Sequence, residues 1–145
     1  MATKQRKRKK RYFTPAEANS MLPLVRVIVK DITELAVTLR DRQARLERLQ
    51  KDGVAMGIIT ASQLEEEGAA HDRDLERLQE YTHELTELGV ELKDFFTGLI
   101  DFPCWMDGRE VYLCWKLGEP ELGWWHEVDA GFRGRQPLDV LAGTK

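Results

Sequence analysis

Ionisable and aromatic side chains crowd into one part of this chain. His126 is flanked by Trp125 and Glu127, with Glu119 before it and Arg133 and Arg135 after it. Asp101, Cys104, Trp105, Tyr112 and Cys114 lie just upstream. A histidine beside carboxylates is the pairing that general acid–base catalysis uses. With a thiol nearby the same groups suggest a metal, but zinc favours closely spaced ligands such as a Cys-x-x-Cys pair. Cys104 and Cys114 are ten residues apart and are expected on opposite faces of a sheet, so no metal site and no cofactor are predicted. No nucleophile elbow, phosphate loop or dinucleotide motif accompanies the histidine. Catalysis is therefore the less favoured reading.

Recognition is the other chemistry on offer. Exposed tryptophans beside arginines are typical anchors for a partner or an aromatic ligand. The candidate ligand or partner site is Asp101, Trp105, Tyr112, Glu119, Trp125, His126, Glu127, Arg133 and Arg135. Trp115 and Trp124 are expected in the core. Two further histidines carry weaker signals. Glu80 and His83 form a Glu-x-x-His spacing, but a di-metal bundle needs two such motifs. His71 falls in a helical seam and reads as a structural polar residue.

The elements that must position these groups are legible from pattern. Asp107-Gly108 is a two-residue hairpin signal, because both residues tolerate positive φ. That turn pairs Cys104 with Val111, Phe102 with Leu113 and Ile100 with Trp115, all on one face. Asp101, Trp105, Glu110, Tyr112, Cys114 and Lys116 take the other face. Gly118 to Glu121 reads as a second turn, followed by a strand over 122–128. Its alternation groups Leu122, Trp124, His126 and Val128 on the apolar face, and Trp125 and Glu127 opposite. The Gly- and Arg-rich run after Asp129 is expected to lie back over the sheet.

The run VYLCWKLGEPELGWWHEVDAGFRGRQP, with IDFP before it and YFTPAEANSMLP near the start, resembles a prokaryotic family described as domain of unknown function 2203. The likeness spans Tyr12 to Pro137. It supports the boundaries of the fold and implies no activity, substrate or catalytic residue.

With 145 residues, 42% hydrophobic and 32% charged, the chain is expected to form one globular domain. No apolar run approaches the ~20 residues of a membrane span, and free thiols suit a cytoplasmic setting, a bacterial one as the resemblance implies. The net charge of −3 conceals an asymmetry. Residues 1–11 hold seven of the 22 Lys and Arg, leaving 15 against 25 acids in the body. This tail is expected to be disordered. Its residues Lys4, Arg6, Lys7, Arg8, Lys9, Lys10 and Arg11 form a candidate arm for nucleic acid or another polyanion.

Thr14-Pro15-Ala16-Glu17 is a capping box that starts a first helix over 14–50, which Pro23 is expected to break or kink. Val25, Ile28, Ile32, Leu35, Leu39, Leu46 and Leu49 recur in steps of three and four, with one step of seven, a coiled-coil-like seam. Residues 51–61 connect it to a second helix over 62–96, begun by Ser62 and Glu65, with Leu64, His71, Leu75, Leu78, Tyr81, Leu85, Leu88, Leu92 and Phe95 on its seam. The expected fold is α+β: a long antiparallel helical hairpin, a three-stranded antiparallel meander over 99–128, and a C-terminal loop over 129–145. Helices of ~50 Å outreach strands of ~23 Å. A homo-oligomer, most simply a dimer, is expected to cover the remainder. The leading functional reading is a non-catalytic scaffold that self-associates through its helices and binds a partner through the aromatic face. The alternatives are a ligand or metal binder, or enzyme, centred on His126 with Glu119, Glu127 and Arg135, and a nucleic-acid-binding arm.

Overall fold

The computed structural model describes residues 10–138. It is α+β: two helices, α1 (Pro15–Arg48) and α2 (Ala61–Glu87), precede one antiparallel sheet. The strands are β1 (Glu91–Asp94), β2 (Leu99–Met106), β3 (Arg109–Lys116), β4 (Trp124–Glu127) and β5 (Gln136–Pro137), in that spatial order. The sheet thus has five strands where three are expected, β1 and β5 forming its two edges. Residues 4–9 of the basic arm lie outside the described residues.

Thr14 caps α1 as its sequence predicts. Its hydroxyl accepts from the Glu17 amide at 3.1 Å, and the Glu17 carboxylate accepts from the Thr14 amide at 2.9 Å. The helix runs continuously through Pro23 rather than breaking there. Pro23 and Asn19 are both exposed, so the Asn19 carbonyl that loses its N–H donor can be hydrated. All seven seam residues from Val25 to Leu49 are buried. Beyond Arg48 the backbone widens into a π turn over Leu49–Gly53.

The second helix begins and ends earlier than expected. Its capping box is Thr60 with Gln63, not Ser62 with Glu65. It stops at Gly89, whose φ of +91° suits glycine. The Gly89 and Val90 amides return to the carbonyls of Thr86 and Leu85, a Schellman closure. Leu92 therefore lies in β1 and Phe95 in the turn after it, although both continue the helical spacing. The ion pairs Arg45–Glu67 and Arg42–Asp74 connect ascending positions on α1 to ascending distance back along α2, so the helices are antiparallel.

The hairpin register is as the Asp-Gly turn dictates. Met106 faces Arg109 and the pairing continues to Leu99 opposite Lys116. Asp107 and Gly108 have φ of 54° and 81°. One sheet face gives Ile100, Phe102, Cys104, Met106, Val111, Leu113 and Trp115 to a core shared with Leu22, Val25, Val29 and Ile32 of α1 and Leu85 of α2. Pro103 sits where β2 has outrun β1, which reaches only Asp101. A proline there forfeits no ladder bond. Its carbonyl accepts from the Phe13 amide at 2.8 Å, so the segment before α1 lies along this edge.

Candidate functional site

The outer face of the sheet, turned away from the helices, carries the chemistry. Asp101 on β2 stands opposite Cys114 on β3, and Tyr112 on β3 stands opposite His126 on β4. The register brings Leu113 opposite Trp125. This reverses the expected faces of β4: Trp124 and His126 join the outer face, while Trp125 packs towards the core. The expectation was drawn from Leu122, which is buried but precedes the strand. Its amide donates to Asn19 Oδ1 at 3.1 Å, so it enters the core from the loop and does not set the strand's alternation.

His126, Asp101 and Cys114 form a buried cluster, exposed by only 2%, 3% and 0%. Their nearest donor atoms all lie within 4.8 Å of one another. His126 Nδ1 is 2.7 Å from the Glu127 carbonyl. A carbonyl only accepts, so Nδ1 carries a proton and donates. Nε2 lies 3.1 Å from both Asp101 carboxylate oxygens. Burial raises the Asp101 carboxyl above its usual range, against the pull of His126. Burial, with the Asp101 charge next to it, pushes the Cys114 thiol up to about 12. An activated catalytic cysteine is shifted down and partly exposed. This thiol is neither, and its partner is the carboxylate rather than an imidazole acting as base. The trio is not arranged for nucleophilic catalysis.

The Tyr112 ring lies over His126, with centroids 5.5 Å apart, and its hydroxyl donates to Glu91 at 3.2 Å. Lys93 reaches the Tyr112 ring at 5.1 Å while pairing with Glu91 at 2.9 Å. On the other flank the C-terminal segment folds back over the sheet. Arg135 lies between the Trp124 ring at 4.6 Å and the Phe132 ring at 4.5 Å, and pairs with Glu119 at 2.7 Å. Glu119 in turn accepts from the Lys116 amide at 2.9 Å. Arg135 and Glu119 thus fasten this segment and do not meet His126. Glu127 pairs instead with Arg109, through contacts of 3.1 and 2.6 Å. Arg133 is exposed.

Of the expected tryptophan pair, only Trp105 remains on the outer face. It is 56% exposed and packs on Tyr12 with ring centroids 5.4 Å apart. The two arm residues that are described are engaged: Lys10 pairs with Glu110, and Arg11 covers the Phe13 ring and donates to the Leu88 carbonyl. His71 is buried in the helical hairpin, and His83 is exposed beside Glu87.

A family model described as an uncharacterized conserved protein, DUF2203, matches residues 11–138. The chain belongs to this family. The DUF2203 match takes in both the segment along β2 and the C-terminal segment over Trp124, so these flanks are part of the family's pattern. No curated protein and no solved structure matches the chain. Among the described residues no helix is long and apolar enough to cross a membrane.

Proposed function

We propose that this protein is a non-catalytic scaffold that self-associates through the far half of its helical hairpin. The observation that carries this reading is an apolar tip left uncovered. Val54, Met56 and Ile58 are 45%, 69% and 64% exposed at the turn between the helices. The 34 residues of α1 span ~51 Å, against ~26 Å for the eight-residue strands. Beyond the reach of the strands, Leu39 and Leu46 of α1 and Leu49 of the π turn are buried. On α2 in this region only His71 is buried, and Leu75 is 41% exposed. A groove lined by Leu46, Gln50, Val54, Leu64 and His71 runs along this half. Two buried polar atoms of the hairpin, Arg42 Nη1 and His71 Nδ1, have no hydrogen-bond partner. A second copy would cover the apolar tip.

Light scattering on the purified chain is expected to give twice the 16.8 kDa chain mass. Met56→Glu with Ile58→Glu is expected to return it to the single-chain mass with its helical content unchanged. A wild-type protein that remains a single chain at ~50 μM overturns the reading, since an interface of even μM affinity would be populated there. The partner-binding half of the proposal rests on the exposed Trp105, packed on the half-buried Tyr12 at the rim of the sheet. Trp105→Ala should remove partner binding while leaving the native mass as it is.

A further inference from the structure

We propose that Asp101, Cys114 and His126 bind one divalent d-block cation of the zinc type, which ties β2, β3 and β4 together beneath Tyr112 and Trp124. Three observations converge on it. The first is orientation. The Nδ1–H bond to the Glu127 carbonyl leaves the Nε2 lone pair directed at a carboxylate. Two electron-rich groups at 3.1 Å require a cation between them, either a proton or a metal ion. A backbone carbonyl holding the far ring nitrogen is the usual outer support of a metal-bound histidine.

The second is the identity of the third group. A plain histidine–carboxylate ion pair has no need of a thiol, yet the Cys114 sulfur faces the same point, within 4.8 Å of both partners. Imidazole, thiolate and carboxylate are the donor types zinc takes, at about 2.0–2.3 Å. Tetrahedral ligands at such lengths stand roughly 3.3–3.8 Å apart. The cluster needs to contract by at most about 1 Å at its widest pair to reach this, while the His126–Asp101 pair at 3.1 Å already stands near it.

The third is charge. Entry of a divalent ion displaces the thiol proton, and any proton shared by His126 and Asp101, to solvent. One thiolate and one carboxylate then neutralise the ion, so the buried site carries no net charge. Three protein donors leave one tetrahedral position for water. Since none of the three residues is open to solvent, loading is coupled to folding of the sheet rather than to exchange at the surface. The sequence gives no Cys-x-x-Cys signal for this site because its donors come from three neighbouring strands. It is independent of how the helices associate.

Cobalt(II) is the probe. Full-length protein produced in cells supplied with cobalt is expected to retain one ion per chain by mass spectrometry, with a thiolate-to-cobalt charge-transfer band. The chain has only two thiols, and Cys104 lies on the opposite sheet face, within the core. The band should therefore vanish in Cys114→Ser and persist in Cys104→Ser. Asp101→Asn and His126→Gln should weaken retention by about 100-fold or more. A band that survives Cys114→Ser overturns the proposal. So does wild-type protein that holds neither cobalt nor zinc after refolding with an excess of either, the result expected if a proton alone bridges the pair. Should Cys114→Ser fail to fold, the wild-type stoichiometry and band, with the Asp101→Asn comparison, decide.

Discussion

His126 and Asp101 face each other across the third strand between them, with the imidazole Nε2 equidistant, at 3.1 Å, from both carboxylate oxygens. Neither group is open to water, so removing one strands the other in a dry site. In protein kept free of metal by a chelator, His126→Leu should cost about 3–5 kcal/mol of unfolding free energy. Asp101→Leu with His126→Leu should cost less than the sum of the two single changes, by at least about 1 kcal/mol. Denaturant titration of the four proteins of this cycle measures the difference.

Gly98 and Gly57 separate backbone strain from crowding. Both have positive φ, 70° and 75°. A Cβ at Gly57 meets nothing within 4 Å, whereas one at Gly98 would come within 2.7 Å of Leu117 Cβ and 2.9 Å of Val29 Cγ1. Gly57→Ala should cost about 1 kcal/mol for the left-handed backbone alone. Gly98→Ala should cost about 1–3 kcal/mol more, because the turn after β1 is pressed onto α1 there. Thermal unfolding of the two variants tests the order.

Arg42 and Asp74 clasp the two helices at 2.9 Å. The Arg42 hydrogen bond holds the Asp74 carboxyl below its ordinary range. A depressed carboxyl stabilises the fold above its unfolded value and loses that contribution as the pH falls through its folded value. Asp74→Asn should therefore cost about 1 kcal/mol at pH 7 and progressively less below about pH 4. Parallel denaturation curves of wild type and variant from pH 7 to 3 give the comparison. A cost that grows on acidification contradicts the assignment.

Both cysteines are free and buried. Burial raises the Cys104 thiol as well as Cys114. Neither should react with a disulfide reagent at pH 8 in the native state, and both should react promptly in denaturant, giving two thiols per chain. Prompt labelling of native protein would mean that the sheet opens readily.

Some of this was open to reading in the sequence because local chemistry and periodicity agreed. Asp107-Gly108 set the hairpin register to the residue, and the steps of three and four along α1 named its buried seam. Where two signals competed, the weaker one was harder to see. Leu92 and Phe95 prolong the spacing of α2, but Gly89 in left-handed backbone ends the helix first. The cluster of Asp101, Cys114 and His126 was half visible, since the expected hairpin register already placed Asp101 opposite Cys114. It was missed through β4. Grouping Trp124 with Leu122 carried His126 to the wrong face, because a slip of one residue exchanges every side chain of a strand. Distances between strands far apart in sequence have no periodic signature, so the convergence of these three groups emerges only once the register of β4 is known.

The contact between the Phe13 amide and the Pro103 carbonyl has a kinetic consequence. Most partners in this fold are neighbours in sequence: each strand pairs with the next, and α2 follows α1. The bond at Pro103 instead joins residues 90 apart; closing a loop of that length costs roughly 4 kcal/mol, which the docking of α1 on the sheet through Leu22, Val25, Val29 and Ile32 must offset first. The hairpin and the helix pair can form by short closures, whereas the segment before α1 has no edge to lie along until β2 exists. It therefore joins the fold late, so the aromatic patch of Tyr12 and Trp105 assembles only on a finished sheet.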